Sequence, residues 1–113
     1  MKLNLKRIVI FTADVPGLAQ FYETVMGLTV RSREIGWVEF DAGTCRLALH
    51  HGKSTVGKRS PKLVFFAADV SGVRAMLIKR GAGPIGEVQS TAHFDMCDGK
   101  DLDGNLYQIS SRP

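Results

Sequence analysis

The feature that most constrains this chain is an internal repeat. Arg7-Ile8-Val9-Ile10-Phe11-Thr12-Ala13-Asp14-Val15-Pro16-Gly17 returns as Lys62-Leu63-Val64-Phe65-Phe66-Ala67-Ala68-Asp69-Val70-Ser71-Gly72, at an offset of 55 residues. Val9/Val64, Phe11/Phe66, Ala13/Ala68, Asp14/Asp69, Val15/Val70 and Gly17/Gly72 match outright. Two apolar strands share a few residues by accident, but an Asp-Val-x-Gly in the same register marks two copies of one unit. The 113 residues therefore read as one domain over 1–113, with one unit at 1–52, a linker at 53–61 and a second unit at 62–113.

Each copy opens with a short run rich in β-branched and aromatic residues, long enough for a strand and too short for a helix. Asp14 and Asp69 stand where a helix would begin, with Pro16 in the first turn of the first helix; a carboxylate there accepts unpaired backbone N–H groups. Leu18, Phe21, Tyr22 and Val25 then form an apolar helical stripe that stops at Gly27, and Tyr22 belongs to the core. Val73, Met76 and Leu77 form the corresponding stripe of the second copy, closed by Lys79-Arg80-Gly81. Further strands are expected at 28–33, 36–40 and 46–50, and again at 87–90, 93–97 and 106–110, with turns at Gly36, Ala42-Gly43, Asp98-Gly99 and Asp103-Gly104. The unit is β-α-β-β-β, twice.

Alternation assigns the faces of these strands. Val38 and Phe40, Leu47 and Leu49, and Tyr107 and Ile109 would meet a helix. Trp37 and Glu39, Arg46, Ala48 and His50, and Leu106, Gln108 and Ser110 would face away. Polar and aromatic residues on that second face suit a surface that lines a ligand.

With the doubled unit, Ala13-Asp14-Val15 leading to Phe21-Tyr22 and Met26-Gly27-Leu28, and the closing Asp101-Leu102-Asp103-Gly104-Asn105, the chain resembles the vicinal oxygen chelate superfamily. This is the group of glyoxalases, bleomycin-resistance proteins and extradiol dioxygenases. The resemblance covers nearly the whole chain, with Leu102 in place of a usual proline. It implies an α+β fold in which two βαβββ units form a curved mixed sheet around a cleft, and a homodimer. It also implies that metal-using members would place ligands at Arg7, Ala48, Lys62 and Gln108. Of these four, Gln108 alone carries a suitable donor: arginine stays protonated, lysine must lose its proton, and alanine has no donor atom. No metal and no cofactor are therefore expected.

The cations suggest a different use for the same positions. If Arg7, Lys62 and Arg46 share a concavity with Glu39, Gln108, His50 and a flat Trp37, the site would suit an anionic or carbonyl-bearing organic molecule. The plainer alternative is that Arg7 and Lys62 flank strand ends and reach into water. The leading expectation is a metal-independent binding protein that sequesters or senses such a ligand. A lyase, isomerase or dioxygenase of the same superfamily is the second reading, and a dimeric interaction module without ligand the third.

Other signals point less far. The net charge of +4 comes from the first 61 residues, with nine Lys/Arg against five Asp/Glu, and the remainder balances at six against six. The surplus gathers in a loop around Lys53, Lys58 and Arg59 that lacks stacking aromatics, so nucleic acid is not an expected partner. Gly52-Lys53-Ser54-Thr55-Val56-Gly57-Lys58 has phosphate-loop spacing, but Arg59 stands where Ser or Thr should, and Ser60-Pro61 precludes the helix such a loop requires. His50 and His51 are strand neighbours and point apart, which weakens a metal cluster with His93, Asp95 or Cys97. Asp95, Asp98, Asp101 and Asp103 suit turns better than calcium. Cys45 and Cys97 lack the spacing of a disulfide framework. With no long apolar run, a cytoplasmic, membrane-free protein is expected.

Overall fold

The repeated Asp-Val-x-Gly is a helix start. In the computed structural model, which describes residues 1–57 and 60–113, the Asp14 carboxylate accepts a hydrogen bond from the Gly17 N–H at 3.1 Å, and that of Asp69 from the Gly72 N–H at 3.0 Å. Each satisfies a donor that the helix itself cannot pair. A Cβ on either glycine would collide with the capping carboxylate, so the glycine is present in the motif because the aspartate is.

Helix α1, Val15–Gln20, continues into a π-helical turn at Phe21–Val25. Leu18, Phe21, Tyr22 and Val25 are all buried, as their spacing predicts. Gly27 then adopts a φ of 76°, a left-handed conformation that a side chain would oppose. Helix α2, Val70–Lys79, buries Val70 and Leu77 and half-buries Val73. Met76, expected in the stripe, is exposed. The buried positions run i, i+3, i+7 from the first residue of the helix, which turns Met76 off the contact line.

The residues form two compact units, Met1–Thr55 and Val56–Pro113. In the first, β1 (Arg7–Thr12), β2 (Thr29–Glu34), β3 (Trp37–Asp41) and β4 (Arg46–His51) form a sheet of order β1-β4-β3-β2, with β1 parallel to β4 and the other pairs antiparallel. In the second, β5 (Leu63–Phe66), β6 (Gln89–Ser90), β7 (Asp95–Lys100) and β8 (Leu106–Ser110) repeat that order as β5-β8-β7-β6. The architecture is α+β, a βαβββ unit made twice. Among the described residues, no helix is long and apolar enough to cross a membrane.

The apolar faces lie where alternation puts them. Tyr22, fully buried, packs its ring 6.3 Å from that of Phe40 and is met edge-on by Phe21. Val38, Leu47 and Leu49 complete the buried face of the first sheet, and Cys97, Tyr107 and Ile109 that of the second. Burying each large side chain of this kind stabilises the fold by about 1.5–3 kcal/mol.

Two sequence expectations need correction. The segment expected at 87–90 pairs only over Gln89–Ser90, with an isolated bridge from Ile85 to Gly99. Asp98-Gly99, read as a turn, lies inside β7, where Asp98 pairs with Gln108 and Gly99 with Tyr107. The glycine is there for space: the Tyr107 ring fills the position its Cβ would take. The acidic series that follows is a true turn. Asp101 Oδ1 accepts from the backbone N–H groups of Asp103 and Asn105, each at 2.9 Å, which folds the chain back into β8 through Gly104 at φ 86°. The linker holds no helix over its described part; Lys58 and Arg59, which end the phosphate-loop-like spacing, lie outside the described residues.

Candidate functional site

On the side of the first sheet opposite its helix, the register places side chains in three cross-strand rows. Arg7, Arg46 and Asp41 form one row, Val9, Ala48 and Glu39 the next, and Phe11, His50 and Trp37 the third. Successive rows are about 7 Å apart, because alternate strand residues share a face.

The charged end centres on Glu39. Arg7 donates from Nε to Glu39 Oε1 at 2.9 Å and from Nη2 to Oε2 at 3.3 Å, and Arg46 Nη1 donates to Oε2 at 3.0 Å. The Glu39 side chain is 7% exposed, against 35% for Arg7 and 28% for Arg46. The Arg7 hydrogen bond holds the Glu39 carboxyl below its ordinary range, outweighing the opposite push of burial, and Arg46 adds to the effect. A buried carboxylate thus stays ionised beneath two guanidinium groups that still reach solvent.

The aromatic end centres on His50. Its ring lies 5.5 Å from that of Phe11 and 5.4 Å from that of Trp37, the latter edge-on. Phe11 is half-exposed and sits against Gly52, where a Cβ would strike its ring. Val9 is also exposed. Arginine heads, exposed apolar side chains and a cluster of three rings therefore lie side by side on one sheet face.

The second unit presents a related face. Asp98 Oδ1 accepts from Gln108 Nε2 at 2.9 Å and lies 3.4 Å from Lys62 Nζ. Gln108 also points a donor at Met96 Sδ, and Val64 and Phe66 are exposed. Asp98 stands opposite Gln108 as Glu39 stands opposite Ala48. Beside this face, Val56, Gly57, Lys100, Gly104 and Leu106 line a recess of about 310 Å³.

Of the residues singled out in the sequence, Arg7, Trp37, Glu39, Arg46 and His50 share the face of the first unit. Lys62 and Gln108 share that of the second. The cations are not bare: Arg7 and Arg46 are paired with Glu39 and Lys62 with Asp98, while all three remain partly exposed. The sequence reading missed Phe11, Phe66 and Asp98. The first two could have been found by carrying the alternation of Arg7 and Lys62 two more residues along their strands, and Asp98 by extending β7 through Gly99.

The positions that the resemblance marks for metal ligands do not fit a divalent ion. Arg7 is committed to Glu39, Ala48 is buried without a donor atom, and Lys62 and Gln108 both engage Asp98. Among the described residues, no three His, Cys, Asp or Glu side chains are placed to hold a metal.

A doubled βαβββ unit, with charged and aromatic side chains on the sheet face opposite the helix, defines the class of this small α+β protein. The chain belongs to the Glyoxalase/Bleomycin resistance protein/Dioxygenase superfamily, whose family profile matches residues 4–109. It is similar to an integron cassette protein from the mobile metagenome of V. cholerae, with 27% identity, a TM-score of 0.73, and coverage of 97% of this chain and 96% of that one. Its fold is also that of a lactoylglutathione lyase from Agrobacterium tumefaciens, at 16% identity, TM-score 0.77 and coverage of 97% and 94%. An antibiotic-binding protein from Streptomyces sp. shares it at 18% identity, TM-score 0.78 and coverage of 96% and 94%. No curated protein matches the chain in sequence.

Proposed function

We propose that this protein is a metal-independent binding protein that sequesters or senses an anionic or carbonyl-bearing organic molecule, acting as a cytoplasmic homodimer. The observation that carries this reading is the face of the first unit, where two arginines anchored by Glu39 adjoin the exposed Val9 and Phe11 and the rings of His50 and Trp37. Core packing has no use for such a surface, whereas recognition of a small molecule needs an apolar wall and a few oriented polar groups. Metal independence is supported by the donor set, in which two ligand positions are ion-paired cations and one is alanine. The antibiotic-binding relative of the same fold is in keeping with a role in binding.

Metal analysis of the purified protein, joined to a thermal-unfolding screen, tests the proposal. Divalent ions should leave the unfolding temperature unchanged, while a subset of small organic anions or carbonyl compounds raises it, since a ligand that prefers the native state stabilises it. A stoichiometric, tightly held metal ion would replace this reading with that of a metal-dependent lyase or dioxygenase.

A further inference from the structure

We infer that the ligand class of the first unit's face is an aryl monocarboxylate whose ring and acid are separated by a short spacer. This deepens the binding role proposed above and rests on it. Charge selects a monoanion. Arg7 and Arg46 bring two positive charges to the single negative charge of Glu39, and Asp41 of the same row is balanced by Arg31 at 3.8 Å, so one further carboxylate completes neutrality and a dianion exceeds it.

Donor geometry leaves room for that carboxylate. Glu39 takes three N–H groups from the two arginines, while each guanidinium offers about five. With Arg7 and Arg46 about a third exposed, their outer edges can fork onto a second acid. Glu39 holds both heads in place, which spares an incoming acid the cost of ordering them.

Register sets the length of the ligand. Both arginines rise from the row on the far side of Glu39 and hydrogen-bond its carboxylate. Their heads are thereby tied to a residue of the middle row, which sets the separation between charge and rings at about one row spacing, ~7 Å, or somewhat more. At about 1.5 Å per carbon–carbon bond, an acid attached directly to a ring falls short, and a spacer of about two carbons spans the gap. Phe11 and Val9, both exposed on this face, give the aryl group its apolar contact beside His50.

Trp37 is the one tryptophan of the chain and lies in this face, so its fluorescence reports binding directly. The full chain is titrated with hydrocinnamate, benzoate and hydrocinnamamide, and Arg46→Met and Phe11→Leu are titrated alongside, with thermal unfolding to establish that each variant folds. Hydrocinnamate should change Trp37 emission saturably and bind at least tenfold more tightly than the amide and than benzoate. Arg46→Met should abolish the acid-over-amide preference, and Phe11→Leu, at an exposed position, should weaken both compounds. Equal affinity for acid and amide, or a response of Trp37 to neutral carbonyl compounds but not to hydrocinnamate, overturns the aryl-acid class and leaves the small-molecule role standing. If no organic probe alters either emission or unfolding temperature, the binding role falls with it.

Discussion

Gly99 lies beneath the ring of Tyr107, its cross-strand partner, and the ring occupies the space of a Cβ. Both residues are buried, so neither can move aside. Gly99→Ala should therefore destabilise the protein by about 1–3 kcal/mol, the range for overpacking a well-filled core. Pairing it with Tyr107→Leu, which removes the ring, should recover part of the loss attributable to Gly99→Ala. Urea denaturation of the single and double variants measures this, and additive losses would contradict the contact.

The cap of α1 makes a second prediction with an unusual sign. Alanine normally exceeds glycine in a helix by about 0.8–1.0 kcal/mol, but at position 17 its Cβ meets the Asp14 carboxylate. Gly17→Ala should be neutral or destabilising in the parent and stabilising in an Asp14→Ala background. Asp14→Ala alone should cost about 1 kcal/mol. A double-mutant cycle reads the coupling directly.

Glu39 should leave a mark on acid stability. Its carboxyl is held below 4.5 in the folded protein, chiefly by Arg7. The associated stabilisation is fully present above the unfolded value and is lost as pH falls through the lower, folded one. Glu39→Gln should be less stable than the parent by about 1–3 kcal/mol near neutrality, with the gap closing as the pH drops below about 4.5. A gap that stays constant down to pH ~2 would show that the carboxylate is not tuned by its arginines.

The two thiols should separate cleanly. Burial pushes the Cys97 thiol above its ordinary pKa, and the residue is 1% exposed, whereas Cys45 is half-buried. A thiol reagent applied to the native protein at mildly alkaline pH should label Cys45 and spare Cys97, with both reacting in urea. Equal native labelling would contradict the packing of β7.

Much of this architecture was legible before any coordinates. The strand–cap–helix opening of each unit follows from apolar periodicity and from one Asp and one Gly at fixed spacing, which are local effects. The faces of β3, β4 and β8 follow from alternation in the same way. What the sequence could not convey depends on partners distant in the chain. Asp98-Gly99 has the composition of a turn and is strand because it pairs with Gln108 and Tyr107 of β8, where the glycine leaves room for the Tyr107 ring. The ion pairs were hidden for a similar reason: Arg7 is 32 residues from Glu39 in sequence, and nothing local records that they meet. The open face was half visible, since Val9 and Phe11 read as ordinary strand residues until their exposure distinguished them from core.

The carboxylate that Arg7 and Arg46 share also governs how this surface can diversify. Losing Glu39 alone leaves two guanidinium groups with no carboxylate between them, and losing both arginines leaves a buried carboxylate unpaired, where an unbalanced charge is costly, so Glu39 and at least one of its arginines must be kept or changed together. Phe11 and Trp37 carry no such obligation and can be exchanged one at a time. Novelty in what the protein accepts should accordingly arise among its rings first, with the ionic anchor inherited unchanged.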